Sequence, residues 1–284
     1  MHDPDSVIPF DRLPPGFAET LDSPPAEPVA TRPAATVVLL REGASGPEVL
    51  LLRRVRTSGF VPGAYVFPGG RVDADDSSPG LEARTEGLDA AGASKILGLE
   101  PDASPPAIAY VLASIREAFE ETGLLLARDP NGQPFPAAAD DARIAEARAR
   151  LLADEAAFLP VLHDLDARLD GAAVAYIAHW ITPTVEPRRY DTRFFAAAIE
   201  GAGTVEVHAS EMSDAVWLTP SGALERHRDG RLPMVFPTIH TLEALCGFDS
   251  TRAILDDYRG RPIPPILPRL VRTDRGVGLD IDGA

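Results

Sequence analysis

The chain has 284 residues, with 27 Lys and Arg against 43 Asp and Glu, a formal net charge of −16 and a pI near 4.7. So acidic a chain lacks the basic patches that nucleic acid and anionic membranes require, and neither is expected as a partner. No apolar run is long enough to span a membrane, and the opening MHDPDSVIPF shows no charged stretch leading into an apolar one, so a cytoplasmic protein is expected.

Residues 1–34 are rich in Pro and acids and read as a tail, partly disordered or draped over the body. Thr36–Arg41 and Glu48–Arg54 predict two strands joined by the turn EGASGP. Gly59–Gly70, GFVPGAYVFPGG, predicts a loop with a short strand inside it. Residues 71–104 are polar and Gly/Ala-rich, with one short helix expected near Glu82–Leu97. A helix follows over about 105–122, then a strand over Leu124–Arg128. Residues 140–170 carry helical periodicity, read as two helices broken near Pro160. Ala175–Thr182 and Arg193–Ile199 predict strands around the turn PTVEPRRYDT, and Ala215–Leu218 another. Thr219–Arg228 and Pro237–Cys246 predict helices, and residues 267–282 a hairpin around Thr273–Gly276. Strands and helices mix along the chain without a clear linker. A single α/β unit over 35–284 is expected, with additions at about 71–104 and 139–170. Cys246 is the sole cysteine, which excludes a disulfide framework, and reads as a small buried apolar residue.

The helix near 105–122 contains SIREAFEETGL. Ile108, Val111, Leu112, Ile115, Ala118 and Phe119 form a core-facing stripe. At about 100° per residue, Glu117, Glu120 and Glu121 share an arc roughly opposite to it. Ser104 and Pro105 suit the N-cap and first helical position, and Gly123 suits the C-terminal stop. Two readings stand for the glutamates. One is a solvated acidic face. The other is a divalent-cation site, because like charges at these spacings repel, Arg116 answers only Glu120, and Mg²⁺ and Mn²⁺ prefer carboxylate oxygen.

The FPGG of residues 67–70 lets the backbone come close to a ligand or to the neighbouring helix. Together these segments resemble the Nudix hydrolase signature, G-x5-E-x7-R-E-U-x-E-E-x-G-U. Arg116, Glu117, Ala118, Glu120, Glu121, Gly123 and Leu124 match its second half and Gly70 its leading glycine. Gly70 and Arg116 lie 46 positions apart, so about 32 residues interrupt the signature. Its first Glu has no clear counterpart; counting forward from Gly70 gives Asp76, which with Asp73 and Asp75 reads as a polar start to the insertion. An interrupted signature resembles the coenzyme A diphosphatase-like branch. Arg54, Gly63 and Phe67–Gly70 fit that branch's upstream pattern, whereas Leu52, Val55 and Gly59 depart from it.

The resemblance implies an α/β/α sandwich with a mixed sheet and helical insertions, and Mg²⁺- or Mn²⁺-dependent hydrolysis of a nucleoside-diphosphate-linked small molecule. Coenzyme A or acyl-coenzyme A is the first candidate substrate, with NADH, ADP-ribose or a nucleotide sugar as alternatives. A catalytically silent binding module is a further one. Glu117, Glu120 and Glu121 would hold the ions, with the Gly70 backbone as a further ligand, and Arg116 would orient the carboxylates. A homodimer is expected only by analogy with the family. The general base is a glutamate of the signature or Glu211, which otherwise reads as a solvated loop acid. Gly69, Gly70 and Arg54 would meet substrate. Lys95 is the sole lysine, so phosphate contacts fall to arginines such as Arg188, Arg189 or Arg193, which read equally as surface residues or partners of Asp191. His179 and Trp180 read as core; Tyr190 and Phe194 read as core or as platforms for adenine.

Overall fold

A computed structural model describes residues 8–9, 21, 27–57, 61–200, 203–274 and 276–281. In chain order the strands and α-helices are β1 (Ile8–Pro9), β2 (Arg32–Gly43), β3 (Gly46–Arg54), β4 (Tyr65–Val66), β5 (Gly69–Arg71), α1 (Pro79–Ala83), β6 (Thr85–Glu86), α2 (Ala90–Leu97), α3 (Ala107–Thr122) and β7 (Ala127–Arg128). There follow α4 (Ala142–Leu152), α5 (Phe158–Leu165), β8 (Arg168–Asp170), β9 (Val174–Ile181), β10 (Tyr190–Ala198), β11 (Met212–Leu218), α6 (Pro220–Arg228), α7 (Phe236–Leu245), α8 (Thr251–Tyr258), β12 (Pro265–Ile266), β13 (Arg269–Thr273) and β14 (Gly276–Asp280).

The main sheet has the order β11-β3-β2-β10-β9-β12, with β4 on β3 and β5 on β2. It is mixed: β2 and β10 run parallel, whereas β2 and β3 form an antiparallel hairpin. Both faces are covered, so β2 and β3 read as nearly continuous apolar runs. Strand alternation sends Val37, Leu39, Leu50 and Leu52 into one core with Ile108, Leu112, Ile115 and Phe119 of α3. It sends Val38, Leu40, Val49 and Leu51 into a second core with Leu242 and Leu245 of α7 and Ile254 and Leu255 of α8. The result is the expected α/β/α sandwich.

Several expectations shift for local reasons. The helix bearing the glutamates starts at Ala107, its N-cap is Pro106, and Ser104 does not cap it. Pro105 precedes a second proline, and a residue before proline is driven out of the helical region. Buried residues occur around most of α3, including Ser114, Arg116 and Glu121, so it does not present a solvated acidic face. The single helix expected over 82–97 is interrupted by β6 and by Gly87 at φ 73°, after which Asp89 caps α2 by accepting from the Gly92 amide. Pro160 lies inside the first turn of α5, where no intrahelical N–H is needed; the break falls earlier, at residues 153–157. Only Ala127–Arg128 of the expected strand pairs, and Leu124–Leu126 are buried by packing instead. Cys246 is exposed, one position past the last buried residue of α7.

Residues 71–104 and 139–170 meet in a small sheet of order β6-β8-β7. A third sheet, β1-β14-β13, brings Ile8 and Pro9 against Val277 and Gly276, next to the expected C-terminal hairpin. Most of the segment read as a tail, and Gly59, lie outside the described residues. No helix among the described residues is long and apolar enough to cross a membrane.

Phe119 is fully buried, and its ring centroid lies 6.5 Å from that of Phe158, joining α3 to α5. Phe119→Ala is expected to lower unfolding free energy by about 3–5 kcal/mol, read by urea denaturation. A loss below about 1 kcal/mol would contradict that packing role.

Candidate active site

The site forms where α3 crosses β5. Gly70 pairs with Ala35 on β2, and its missing side chain leaves room for the Glu117 carboxylate, which a Cβ there would strike. Gly69 donates its amide to Glu121 Oε2 at 3.1 Å, and a Cβ on it would run into the Ala35 carbonyl. The glycine pair is thus set by the close approach of β2, β5 and α3.

Arg116 is buried, and its guanidinium organises the acids. Nε and Nη2 donate to the two oxygens of Asp76 at 2.8 and 3.0 Å, and Nη2 also to the Arg71 carbonyl at 3.0 Å. Nη1 donates to Glu117 at 3.0 Å and to both oxygens of Glu120 at 3.2 Å. Arg116 therefore serves Glu117 as well as Glu120. Asp76, fully buried, is its bidentate anchor rather than a polar start to an insertion.

Burial lifts the Glu117 carboxyl to about 7; Arg116 opposes that shift and Glu120 adds to it. Burial also raises Glu120 against the pull of Arg116. Glu121 is raised well above the usual range by burial and then by Glu117, against the Gly69 hydrogen bond. Arg116 stays protonated because its bond to Asp76 and the charges of Glu117, Asp76 and Glu120 outweigh its own burial. Asp73, Asp76, Glu117 and Glu120 all face this one guanidinium, so negative charge is in excess, which is the chemistry a divalent cation complements. Among the described residues no three such side chains already converge as a ligand set. Glu117 and Glu120 share Arg116 Nη1, and Glu121 is turned to the Gly69 amide.

Glu211 comes close enough for its charge to raise Glu121, and Arg54 close enough to lower it. The loop carrying Glu211 is fixed to the end of α3. The amides of Glu206 and His208 donate to the carbonyls of Thr122 and Glu121 at 3.1 and 3.2 Å. Buried Arg148 of α4 bridges the Glu120 and Glu206 carbonyls at 2.8 and 2.7 Å. Nothing local in an Ala/Arg-rich helix marks Arg148 for this task.

A cavity of about 1570 Å³ opens on Glu117, Glu120, Glu121, Glu211, Arg54 and Arg188. Two expected phosphate contacts lie elsewhere. Arg193 pairs across β2 with Ala35, on the α3 side of the sheet, and donates to the Leu97 carbonyl and Tyr176 hydroxyl at 3.0 and 3.1 Å. Arg189 is buried and donates to the carbonyls of Thr182 and Val29. Asp191 takes His179 Nε2 at 2.6 Å and lies 3.5 Å from Arg193 Nε. Trp180, Tyr190 and Phe194 reach the cavity; Trp180 and Phe194 are also core, whereas Tyr190 is half-buried in the lining.

Glu117 binds its proton more tightly folded than unfolded, so its contribution to stability is complete below about pH 4.5 and is lost as pH rises through about 7. In chelator, the melting temperature is expected to fall between pH 5 and pH 8, with a shallower fall in Glu117→Gln. An unchanged slope in that variant would remove Glu117 as the source.

The family described as NUDT19 Nudix domain matches residues 30–245. The chain is 30% identical over 262 residues to acyl-coenzyme A diphosphatase NUDT19 of Gallus gallus, covering 76% of this chain and 68% of that one. It is 29% identical to the Homo sapiens protein of the same name, covering 82% and 70%. A crystal structure of a Nudix hydrolase from Alicyclobacillus acidocaldarius superposes with a TM-score of 0.64 at 30% identity, covering 80% of this chain and 96% of that one. With the fold, the glycine pair and the acid cluster in place, these matches establish that the chain belongs to the Nudix hydrolase family, in the group defined by the NUDT19 Nudix domain.

Proposed function

We propose that the chain hydrolyses the diphosphate bridge of coenzyme A and acyl-coenzyme A, with Mg²⁺ or Mn²⁺, to 3′,5′-ADP and (acyl-)phosphopantetheine. The observation that carries this reading is the buried excess of carboxylate at Glu117, Glu120 and Glu121, set against Gly69 and Gly70 in the wall of a large cavity. The names of the curated relatives, acyl-coenzyme A diphosphatase, support the substrate.

Glu117, Glu120 and Glu121 would hold the cations, which when bound neutralise the bridging phosphates and promote ionisation of the attacking water. Arg116, anchored on Asp76, orients the carboxylates of Glu117 and Glu120 from behind. Arg54, beside Glu121, is suited to a phosphate oxygen. Water adds to one phosphorus, the bridging P–O bond breaks, and the departing phosphate carries off the bridging oxygen. The water proton passes to Glu211, whose charge already reaches Glu121, or to a glutamate of α3.

Glu120→Gln is expected to lower Mn²⁺-dependent turnover at least about 100-fold and to weaken Mn²⁺ binding measured by calorimetry, with the melting temperature retained. The substrate panel is coenzyme A, an acyl-coenzyme A, NADH, ADP-ribose and a diadenosine polyphosphate. Release of 3′,5′-ADP only from the coenzyme A members supports the reading. Preference for another member discards the coenzyme A assignment, and no cleavage at all favours a silent binding module.

A further inference from the structure

The cavity borders both cores. Leu151 and Phe158, with Leu159 packed beside them, belong to the core on the α3 face of the main sheet. Trp180 and Phe194, with Phe236 packed beside them, belong to the core on the opposite face. The acid cluster lies at the junction, so a substrate whose diphosphate sits there must extend one half toward each wall.

The two walls differ in chemistry. On the α3 side, the α4–α5 connection offers Leu151, Leu152, Ala156 and Leu159. The acids lining this side are Asp154, two positions past α4, and Asp73 and Asp75, on the turn before α1, whose Gly80 abuts Leu159; Asp73 also lies 3.6 Å from Arg116. On the other side the floor is laid by register: Thr36 opposite Phe194, Ala34 opposite Thr192, and Thr192 opposite Trp180. Trp180 and Phe236 meet edge-on, with centroids 5.5 Å apart. Two cations serve this side. Gly70 faces α3, so alternation along β5 turns Arg71 toward the floor. Arg188 is exposed on the turn before β10 and lines the cavity. Neither side chain has an ion pair among the described residues. Glu186, half-buried on the same turn, is the acid of this side, an acceptor for a hydroxyl or amine rather than a phosphate partner.

The halves of an acyl-coenzyme A differ in the same way. One carries a purine and a doubly charged 3′-phosphate; the other is an uncharged pantetheine ending in hydrocarbon. Resting on the function proposed above, we infer that the cavity fixes the direction of the substrate. The 3′,5′-ADP half lies over Thr192 and Phe236, which the buried Trp180 backs edge-on, with Arg188 as the 3′-phosphate contact. The acyl-pantetheine half runs along Leu152 and Leu159. A 3′-phosphate placed the other way would face Asp73, Asp75 and Asp154, and a purine would lose its aromatic platform.

The test uses the full chain with Mn²⁺ and compares kcat/KM for coenzyme A, 3′-dephospho-coenzyme A, and hexanoyl- and dodecanoyl-coenzyme A. Wild type is expected to prefer coenzyme A to its dephospho form, and to gain with acyl length by up to about fourfold per buried methylene. Arg188→Ala should shrink the 3′-phosphate preference at least about tenfold while the chain-length gain persists. Leu152→Glu and, independently, the exposed Ala157→Glu should flatten the chain-length gain while the 3′-phosphate preference persists. An unchanged preference in Arg188→Ala, or a crossed pattern between the two sets, overturns the assigned direction although coenzyme A cleavage stands. Failure of wild type to cleave any coenzyme A member overturns the underlying function as well.

Discussion

The bidentate pair between Arg116 and Asp76 holds the site together. It spans 40 residues of sequence and is almost wholly buried. Removing one member of such a pair strands the other charge in a low-dielectric interior. Here the consequence is wider, because the remaining Arg116 donor holds Glu117 and Glu120. Asp76 stabilises the guanidinium, and the guanidinium in turn makes it tolerable to gather Glu117 and Glu120 at one end of a buried helix, while the Gly69 amide answers Glu121. The glycines complete the arrangement by letting β5 approach α3 closely enough for Glu117 and Glu121 to rest on bare backbone.

The sheet performs two tasks. Its centre separates two apolar cores, and its edge near β5 lets a single cavity touch both. Strand alternation decides which side chain serves which task. Neighbours Thr192, Arg193 and Phe194 go to cavity, core and cavity in turn. The polarity of the cavity follows from this division, since each wall inherits the chemistry of the layer behind it.

What could be read from the sequence was mostly local. The hairpin of β2 and β3, the glutamate helix, Gly123 at its end and the glycine pair all rest on short-range periodicity or turn chemistry. The α8 helix, absent from the sequence expectations, carried such a signal too, with Ser250 as N-cap and Ile254, Leu255 and Tyr258 buried. What escaped depended on distant partners. Asp76 acquires meaning only when Arg116 folds over it. Arg148 does so only when it reaches two carbonyls, one on α3 and one on the loop before β11. Arg189 and Arg193 sit in a motif rich in cations, yet Val29, Leu97, Tyr176 and Thr182 draw them away from the cavity.

The small sheet of β1, β13 and β14 has a practical consequence. It ties Ile8 and Pro9 to the C-terminal hairpin, and that hairpin carries Leu270 and Leu279 to the cavity rim. Strand β1 and the C-terminal hairpin thus share one small sheet in the cavity wall. A substitution that loosens the pairing of β13 with β14 would shift Leu270 and Leu279, and so reshape the cavity from a hairpin that carries none of Glu117, Glu120 and Glu121.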